Sequence, residues 1–439
     1  MIDGRDRLEA SEAHAVALDC VEAGIEAARP DRVVGRQVTR EGETLTVAGS
    51  TYDLDDYERV VVLGGGKAAD AVAAELESVL GDRLDDGLVV ATDPAETETV
   101  DVVEGAHPVP DAAGRDAAQR VFDRATEQGR GTLVLVPVTG GGSALLPLPA
   151  GDISLDDLRA VTEELVESGA AIAEINAVRK HLSEIKGGGL ARAAAPATVV
   201  GLLFSDVVGD DPSVVASGPT APDDSTYDDA LDVLDRYDVD VPEAVRAYLT
   251  AGADGDRAET PDSEAALGRV DNHVLASSAT ALAGAREAAA AAGYDPLVLS
   301  SRVRGESTEA ALSLLAIAEE VRESGDPVEP PAVLLSGGET TVTLLGSGKG
   351  GPNLEFALRV AIEDSPGVVC AAVDTDGEDG STDAAGAIVD DETLRNPRAA
   401  RSALMDNRSY PLLDDTGTLI RTGPTGTNVN DLRVFVVSG

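Results

Sequence analysis

The stretch VVVLGGGKAADAVAAELESVL (60–80) decides the fold, because it passes from a β-branched run through three glycines and a lysine into a helical pattern. Apolar runs and helical patterns alternate along the rest of the chain as well, which is typical of parallel α/β layers. The predicted strands lie at 59–63, 87–92, 132–138, 198–204, 273–277, 296–300, 332–337, 341–346, 367–373 and 431–437. The predicted helices lie at 7–28, 68–80, 111–128, 155–172, 228–250, 279–292 and 305–323.

Two α/β halves are joined by the polar segment GADGDRAETPDSEA (252–265), which has no apolar periodicity. In each half a strand leads into a Ser- and Gly-rich loop, TGGGSA (139–144) and SGGETT (336–341). We therefore predict two α/β/α sandwich domains, with mostly parallel or mixed sheets, that face a shared cleft. The predicted N-terminal domain, residues 1–252, is Rossmann-like, and the predicted C-terminal domain spans residues 266–439.

The net charge of −46 is spread along the whole chain and is not gathered in one acidic tail. Self-repulsion of this size destabilises a compact chain in dilute buffer, and dissolved salt screens it. We therefore expect a halophilic protein with the composition of an acidic proteome. The same charge argues against a nucleic acid as a partner.

The chain has no run of about 18 apolar residues. Its N-terminus, MIDGRDRLEA (1–10), lacks the basic-then-apolar pattern of a signal peptide. We therefore expect a cytoplasmic protein without a membrane partner. Cys20 and Cys370 are far apart in apolar contexts, which favours two buried free thiols over a disulfide.

Lysine is rare in this chain, in which Lys67, Lys180, Lys186 and Lys349 are the only four. All four fall in or beside Gly-rich segments, whereas arginine supplies the other basic positions. A chain that avoids lysine on its surface should keep it where a compact ammonium charge has a task. Chance survival of the four lysines is the alternative.

Two Gly-rich loops follow predicted strands in the N-terminal half, at the position where open α/β sheets bind ligands. The first loop contains Gly64, Gly65, Gly66 and Lys67, and the second contains Gly140, Gly141, Gly142 and Ser143. We expect the helix after the first loop to offer free N–H groups to an anion beside the lysine. The second loop suits a phosphate or a carboxylate. A tight turn with only a structural role is the alternative for the first loop.

The densest run of polar residues is INAVRKHLSEIKGGGLA (175–191), and the loop SDVVGDDPSVVASGPTAPD (205–223) follows it. The candidate catalytic and binding residues of this half are His107, Asn176, Arg179, Lys186, Asp206 and Asp210. The two cations stand before a triple glycine, and the two aspartates follow an apolar strand. Carboxylates in that position suit Mg²⁺ that bridges to phosphates, with Asx turns and helix caps as the alternative.

Polar residues also cluster in Gly-rich segments after predicted strands of the C-terminal half. The candidate binding residues there are Ser336, Gly337, Gly338, Glu339, Lys349, Asn353, Glu355 and Asp376. The aspartates around the last of these lack the spacing and the terminal Glu of a calcium loop. We therefore interpret them as catalytic or structural.

Taken together, these segments resemble the glycerate 2-kinase family over nearly the whole chain. The motifs, in order, are GGGKAA (64–69), GAHPVPD (105–111), GGGSALL (140–146), INAVRKHLSEIKGGGLA (175–191), SDVVGDDPSVVASGPTAPD (205–223), SGGETTVT (336–343) and TDGEDGSTDAAGA (375–387). The resemblance implies transfer of the γ-phosphoryl group of ATP to glycerate, with ATP and Mg²⁺ required, and a MOFRL region over residues 332–437. It also implies that Lys67 is essential and that Asp206 and Asp210 are the family's paired carboxylates.

This chain departs from the family at GGPNLE (350–355), where the family often has G-G-R-N-Q-E. Pro352 replaces the arginine that the resemblance implies in substrate contact, so Lys349 or another arginine supplies that charge, or substrate handling differs. Two other functions stay open: an NAD(P)-dependent hydroxypyruvate reductase, which the first Gly-rich loop favours, and a non-catalytic sugar-acid binding protein. The oligomeric state is open too, with a homodimer as one option.

The net charge predicts that stability depends on salt. The midpoint of thermal unfolding should rise as KCl increases from about 0.1 M, because the Debye length falls from about 10 Å to about 3 Å by 1 M. Differential scanning fluorimetry across this range measures the midpoint. A midpoint that stays flat or falls would show that self-repulsion does not limit the stability of the fold.

Overall fold

Helix α1 (Glu12–Ala28) begins at Ser11, whose hydroxyl accepts a hydrogen bond from the N–H of His14 at 3.4 Å. The sequence placed the end of this helix correctly but its start at Arg7. The extended backbone of Ser11 breaks the pattern there, as an N-cap residue does. Pro30 does not stop the helical course but opens α2 (Pro30–Gln37), because the first helical position does not need a proline N–H.

The structure is a computed structural model that describes residues 1–92 and 94–439. These residues form two units. The C-terminal unit comprises Met1–Arg32, Asp206–Gly209 and Ala276–Gly439, and the N-terminal unit comprises Val33–Ser205 and Asp210–Leu275. In this described part, the structure contains no helix with the length and apolarity that a membrane span requires.

The N-terminal unit contains a three-stranded antiparallel sheet and a six-stranded sheet. Its strands are β1 (Val38–Glu41), β2 (Thr44–Val47), β3 (Ser50–Asp53), β4 (Arg59–Gly65), β5 (Asp86–Ala91), β6 (Val100–Glu104), β7 (Thr132–Val138), β8 (Thr198–Phe204) and β9 (Arg269–Ala276). Its helices are α3 (Ala69–Leu80), α4 (Ala112–Thr126), α5 (Gly142–Leu145), α6 (Leu155–Glu167), α7 (Ile172–His181), α8 (Gly189–Ala194), α9 (Tyr227–Arg236), α10 (Glu243–Ala253) and α11 (Glu264–Leu267).

The six strands of the larger sheet lie in the order β6-β5-β4-β7-β8-β9, and β4 to β8 run parallel. From β4 the chain moves outward through β5 and β6, then returns to place β7 on the other side of β4. The strand order therefore reverses between β4 and β7. Ligands of open α/β sheets bind at the carboxyl ends of the strands at such a point.

The C-terminal unit contains a second six-stranded sheet. Its strands are β10 (Asp295–Val303), β11 (Ala332–Gly338), β12 (Val368–Asp374), β13 (Gly386–Val389), β14 (Leu419–Ile420) and β15 (Asp431–Val437). Besides α1, its helices are α12 (Ser278–Ala291), α13 (Ser307–Ser324), α14 (Pro352–Glu363), α15 (Pro397–Met405) and α16 (Ser409–Thr416).

The sheet of the C-terminal unit is mixed, in the order β10-β11-β15-β12-β13-β14. Only β10 and β11 pair in parallel among these strands, and the C-terminal strand β15 lies antiparallel between β11 and β12. Alternate side chains face opposite layers: Val333 and Leu335 pack with α1 and α12, whereas Ala332 and Leu334 pack with α13 and α14. The predicted class, α/β with sandwich layers around mostly parallel or mixed sheets, is confirmed.

Helix α1 belongs to the C-terminal unit, because its apolar face packs on α12 and β15. The polar segment 252–265 lies within the N-terminal unit, where the chain continues into edge strand β9. This division differs from the predicted domains 1–252 and 266–439. Order along the chain could not indicate that the first helix packs on the last strand.

Three local predictions were wrong. Residues 341–346 form no strand, because the side chain of Asn407 accepts hydrogen bonds from the N–H groups of Leu345 and Gly346 and holds this segment as a loop. The helix predicted at 155–172 ends at Glu167, and the helix predicted at 228–250 is split into α9 and α10. Asp238, with φ 51°, and Pro242 lie at that second break.

Both cysteines are buried and free, as predicted. Cys20 lies on α1 and Cys370 on the central strand β12. Burial raises the pKa of the Cys20 thiol to about 12, so this sulfur stays protonated and unreactive at neutral pH.

Helices α1 and α12 cross closely where glycine removes a side chain. A Cβ atom added to Gly284 would lie 2.5 Å from the carbonyl oxygen of Ala23 and 2.6 Å from the Cβ of Ala27. On the other helix, a Cβ at Gly24 would lie 3.0 Å from the carbonyl oxygen of Ala281. Backbone atoms cannot move away as a flexible side chain would, so this crossing depends on both glycines.

We expect Gly284→Ala to lower the free energy of unfolding by about 1–3 kcal/mol, because the added methyl group overpacks the helix crossing. The matched control is Gly35→Ala on α2, where a Cβ would meet nothing within 4 Å. That change should raise the free energy of unfolding by about 0.5–1 kcal/mol, since alanine restricts the unfolded chain. Urea titrations at constant KCl measure both values, and equal effects would contradict the packing argument.

Candidate functional site

The carboxyl ends of β4 and β7 are joined by hydrogen bonds between the two Gly-rich loops. The N–H of Lys67 donates to the carbonyl oxygen of Gly140 at 2.8 Å, and the N–H of Ala68 donates to the hydroxyl of Thr139 at 3.1 Å. These two groups precede α3, where the sequence predicted free N–H groups for an anion. For these two groups that prediction is wrong, because the second loop already occupies them.

The first Gly-rich loop allows the two strands to approach. A Cβ at Gly64 would lie 2.2 Å from the carbonyl oxygen of Pro137 on β7. Gly66 has φ 142°, and a Cβ there would lie 2.1 Å from the hydroxyl oxygen of Thr139. These glycines therefore allow β4 to approach β7 and fix the position of Lys67.

The second loop offers the free donors. In the described part of the chain, the N–H groups of Gly140, Gly141 and Ser143 donate to no protein acceptor. Gly141 has φ 79°, and a Cβ there would lie 2.9 Å from His107 and 3.0 Å from the Cγ of Lys67. The loop thus places three unpaired N–H groups beside a histidine and a lysine that the sequence had singled out.

The hydroxyl of Ser143 belongs to a chain of hydrogen bonds with two buried polar side chains, Ser217 and Asn176. This hydroxyl lies 2.6 Å from that of Ser217, and the Ser217 hydroxyl donates to the side-chain oxygen Oδ1 of Asn176 at 3.3 Å. Ala216 and Ser217 have φ angles of 49° and 63°, a conformation that non-glycine residues adopt at a cost and that is frequent at functional sites. Sequence reasoning missed Ser217, whose only signal is the Ser-Gly-Pro turn after it.

A cavity of about 200 Å³ opens next to this loop. Its lining residues are His107, Pro108, Pro110, Gly141, Ser143, Ala144, Leu158, Thr162, Arg179 and Lys186. Five of them were candidates from sequence, and helix α7 carries Asn176 and Arg179 to this place. Burial lowers the pKa of the Arg179 guanidinium. Burial and then the charge of Arg179 lower the pKa of Lys186 to about 7.

The other two lysines lie elsewhere. Lys180 forms a buried ion pair with Asp223 at 3.0 Å, with side chains 8% and 1% exposed. Lys349 is 46% exposed, with its ammonium group over the ring of Tyr410 at 4.1 Å and 3.8 Å from Asp383. The four lysines therefore have separate environments, and one of them is a surface residue.

In the C-terminal unit, Asn353 lies at the start of α14 and is fully buried. The N–H groups of Asn353 and Leu354 donate to the carboxylate of Asp379 at 2.9 and 2.8 Å, and the side-chain amide of Asn353 donates to Asp431 at 2.6 Å. Burial raises the pKa of Asp379 to about 7. These contacts give Asn353 a defined role at the start of the helix.

Glu339 follows β11 and brings Asp206 and Asp431 into one electrostatic cluster. Loss of water around its carboxyl group, and then the charges of Asp431 and Asp206, raise the pKa of Glu339 to about 7, although the residue as a whole remains exposed. Ser336 is buried just before it, and Gly337 allows β11 to approach Ser278. The structure therefore places these predicted residues at the end of one strand.

The remaining candidates of this unit lie apart from that cluster or have local partners. Glu355 is buried and accepts a hydrogen bond from the side chain of Asn407 at 3.0 Å. The carboxylate of Asp376 accepts the N–H of Glu378 at 2.9 Å, as in an Asx turn. Gly338, with φ 129°, ends β11 beside Val303.

The two aspartates predicted as metal ligands occupy different units. Asp206 belongs to the C-terminal unit, and Asp210, with φ 58°, belongs to the N-terminal unit. Across residues 1–92 and 94–439, no group of three or more His, Cys, Asp or Glu side chains is arranged to hold a metal ion. The described side chains alone therefore do not build a closed metal cage.

Two family models match the chain: "Domain of unknown function (DUF4147)" over residues 16–250 and "MOFRL family" over residues 332–431. The chain is 39% identical to a protein from Pyrococcus horikoshii named glycerate 2-kinase, over 96% of this chain and 97% of that protein. It is 43% identical to a protein from Agrobacterium vitis with the provisional name hydroxypyruvate reductase, over 86% and 87%.

The fold matches a solved structure as well. The crystal structure of glycerate kinase from Thermotoga maritima superposes with a TM-score of 0.84, at 36% sequence identity. The match covers 96% of this chain and 99% of that chain. The similarity therefore covers nearly all of the helices and strands described above.

Replacing Lys180, which belongs to the buried ion pair, should destabilise the protein far more than replacing the half-exposed Lys349. Lys180→Met should lower the free energy of unfolding by about 3–5 kcal/mol, because it leaves Asp223 buried without its counter-charge. Lys349→Met should change it by at most about 1 kcal/mol, since this lysine is half exposed. Urea titration of the two variants at constant KCl compares them, and two small values would show that the buried pair contributes little.

Proposed function

This chain belongs to the family that joins a DUF4147 domain to a MOFRL domain, and from that membership we propose that it transfers the γ-phosphoryl group of ATP to D-glycerate, forming 2-phosphoglycerate. One structural observation carries the proposal. Three unpaired N–H groups, of Gly140, Gly141 and Ser143, lie beside Lys67 where the strand order reverses. Such donors suit the oxygens of a phosphoryl group.

Phosphoryl transfer needs positioning and charge stabilisation more than covalent help from the protein. The N–H groups of the second loop hold phosphoryl oxygens, and the ammonium group of Lys67 neutralises charge that develops on them. The Gly64–Pro137 and Gly66–Thr139 contacts keep these donors fixed before the substrate arrives. The Ser217–Asn176 hydrogen bond steadies Ser143 from the other side.

Mg²⁺ is the proposed metal, and the donor set fits it. Mg²⁺ binds through one or two carboxylates together with substrate phosphate oxygens, so it does not need a closed protein cage. Asp206 and Asp210 would hold it, and Asp206 is one of the carboxylates whose charge, after burial, raises the pKa of Glu339. When bound, the ion neutralises charge on the phosphates of ATP.

The composition supports a salt-rich environment for this activity, and the strand order supports a nucleotide-binding domain. A net charge of −46 on a chain with four lysines fits a halophilic protein in a salt-rich cytoplasm. The strand order around β4 and β7 fits a Rossmann-like nucleotide domain.

The test is an assay of the purified protein in high KCl with two substrate pairs. We expect ADP and a phosphorylated product from D-glycerate with ATP and Mg²⁺, and ³¹P NMR of the product distinguishes 2-phosphoglycerate from 3-phosphoglycerate. Hydroxypyruvate with NADH or NADPH is the control pair, and we expect no oxidation of the nucleotide. Oxidation without phosphoryl transfer would replace the kinase by the reductase.

Lys67 gives the prediction with the largest effect. Lys67→Ala should lower kcat by at least about 10²–10³, the usual cost of one electrostatic contact to the transition state. Lys67→Arg should recover little, because a planar guanidinium does not replace a compact point charge. Arg130→Met, which removes an exposed arginine, serves as the control for loss of one cation and should keep the wild-type kcat. A Lys67→Arg rate near that of the wild type would contradict the point-charge argument.

A further inference from the structure

Within residues 1–92 and 94–439, Arg179 is a cation without a partner, although the chain has 80 acidic residues. Its side chain is half-buried, yet it makes no hydrogen bond or ion pair with any residue of the described part. The other arginines there that lack such a partner are exposed to solvent. A partly buried guanidinium without a counter-charge is costly, so an anion from outside the chain would complete this site.

The cavity that Arg179 lines has the chemistry of an anion site. Among the residues that the structure describes, its lining includes Lys186 and His107 but no aspartate or glutamate. That composition is unusual for this chain, which carries acidic side chains along its whole length. Arg179 and Lys186 also repel each other, as the lowered pKa of Lys186 indicates, and a bound anion would remove that repulsion.

The size of the cavity limits the anion to a small molecule. A volume of about 200 Å³ is below the roughly 300–1,000 Å³ of pockets that take drug-sized ligands. A three-carbon hydroxy acid is a ligand of that smaller size, whereas a nucleoside triphosphate is several times larger. The cavity therefore suits the phosphoryl acceptor rather than the donor.

We propose that this cavity is the acceptor subsite and that Arg179 binds the carboxylate of a three-carbon hydroxy acid, an inference that rests on the proposed function. A guanidinium matches a carboxylate with two parallel hydrogen bonds, which fixes the orientation of the acid. Gly141 lines the same cavity, and a Cβ there would be close to both His107 and Lys67.

Lys186 has a different role in the same cavity. Its ammonium group donates to the carbonyl oxygens of Ser143 and Leu146 at 2.8 and 3.4 Å. It therefore acts as a positioning residue that holds the second loop, and Arg179 is left to contact the carboxylate. Because the pKa of Lys186 is about 7, a carboxylate bound nearby should draw a proton onto it at a pH above that value.

The direct test is isothermal titration of the protein in high KCl without nucleotide. The ligands are D-glycerate, its uncharged analogue glycerol, and inorganic phosphate. We expect binding of D-glycerate alone and a loss of at least about 30-fold in Arg179→Met, the change expected when one partner of a buried charge pair is removed. Arg179→Lys should recover part of the affinity. Arg130→Met, which removes an exposed arginine, is the matched control and should bind as the wild type does.

Steady-state kinetics separate this inference from the proposed function. In Arg179→Met the KM for D-glycerate should rise while the KM for ATP stays unchanged. Phosphoryl transfer with an unchanged KM for D-glycerate would overturn the subsite and leave the kinase standing. A raised KM for ATP with D-glycerate unaffected would assign Arg179 to the nucleotide and also overturn it. Arg179-dependent binding of D-glycerate without any phosphoryl transfer would support the subsite and reject the kinase.

Proton uptake gives a second readout that a merely structural role of Lys186 would not produce. Titrations of D-glycerate at about pH 8 in two buffers of different ionisation enthalpy should show uptake of protons on binding. In the described lining, His107 is the other titratable group besides Arg179, so Lys186→Met identifies the source by abolishing the uptake. Binding without uptake in the wild type would place the carboxylate away from Lys186 and contradict the proposal.

Discussion

The close approach of β4 and β7 at their carboxyl ends is the constraint on which the rest of the candidate site depends. Side chains at Gly64 and Gly66 would collide with Pro137 and Thr139, so the strands can end side by side only with glycine there. Hydrogen bonds between the two loops then use the N–H groups before α3. This contact turns Lys67 toward Gly141 and leaves the second loop's own N–H groups available.

Much of the sheet structure could be predicted from sequence, because fully buried strands are continuous apolar runs. The strands at 132–138, 198–204 and 431–437 have every residue buried, and the structure has them at the predicted bounds. The apolar segment 341–346 was also predicted to be a strand, but it is a loop in the structure. Its Leu344 and Leu345 are 78% exposed, since the distant side chain of Asn407 satisfies the backbone there.

In the candidate site, too, features marked by neighbouring residues in the sequence could be predicted, whereas features that depend on distant residues could not. Glycine and lysine in sequence indicated both loops, and the cavity contains Arg179 and Lys186 as neighbours. The role of the first loop could not be read from sequence, because the acceptor for Ala68 is the hydroxyl of Thr139, 71 residues away. Ser217 was missed because nothing in a sequence marks a serine with positive φ.

In a chain this acidic, a cation without a partner carries more information than a cluster of carboxylates. Lysines and arginines are outnumbered by acidic residues, 34 to 80, so a partly buried arginine with no carboxylate partner among the described residues is an exception. Lys180 shows the ordinary outcome, in which Asp223 satisfies a buried cation within the protein. Arg179 shows the other outcome, and the absence of acidic side chains from the described lining of its cavity leaves that position for a charge that the described residues do not supply.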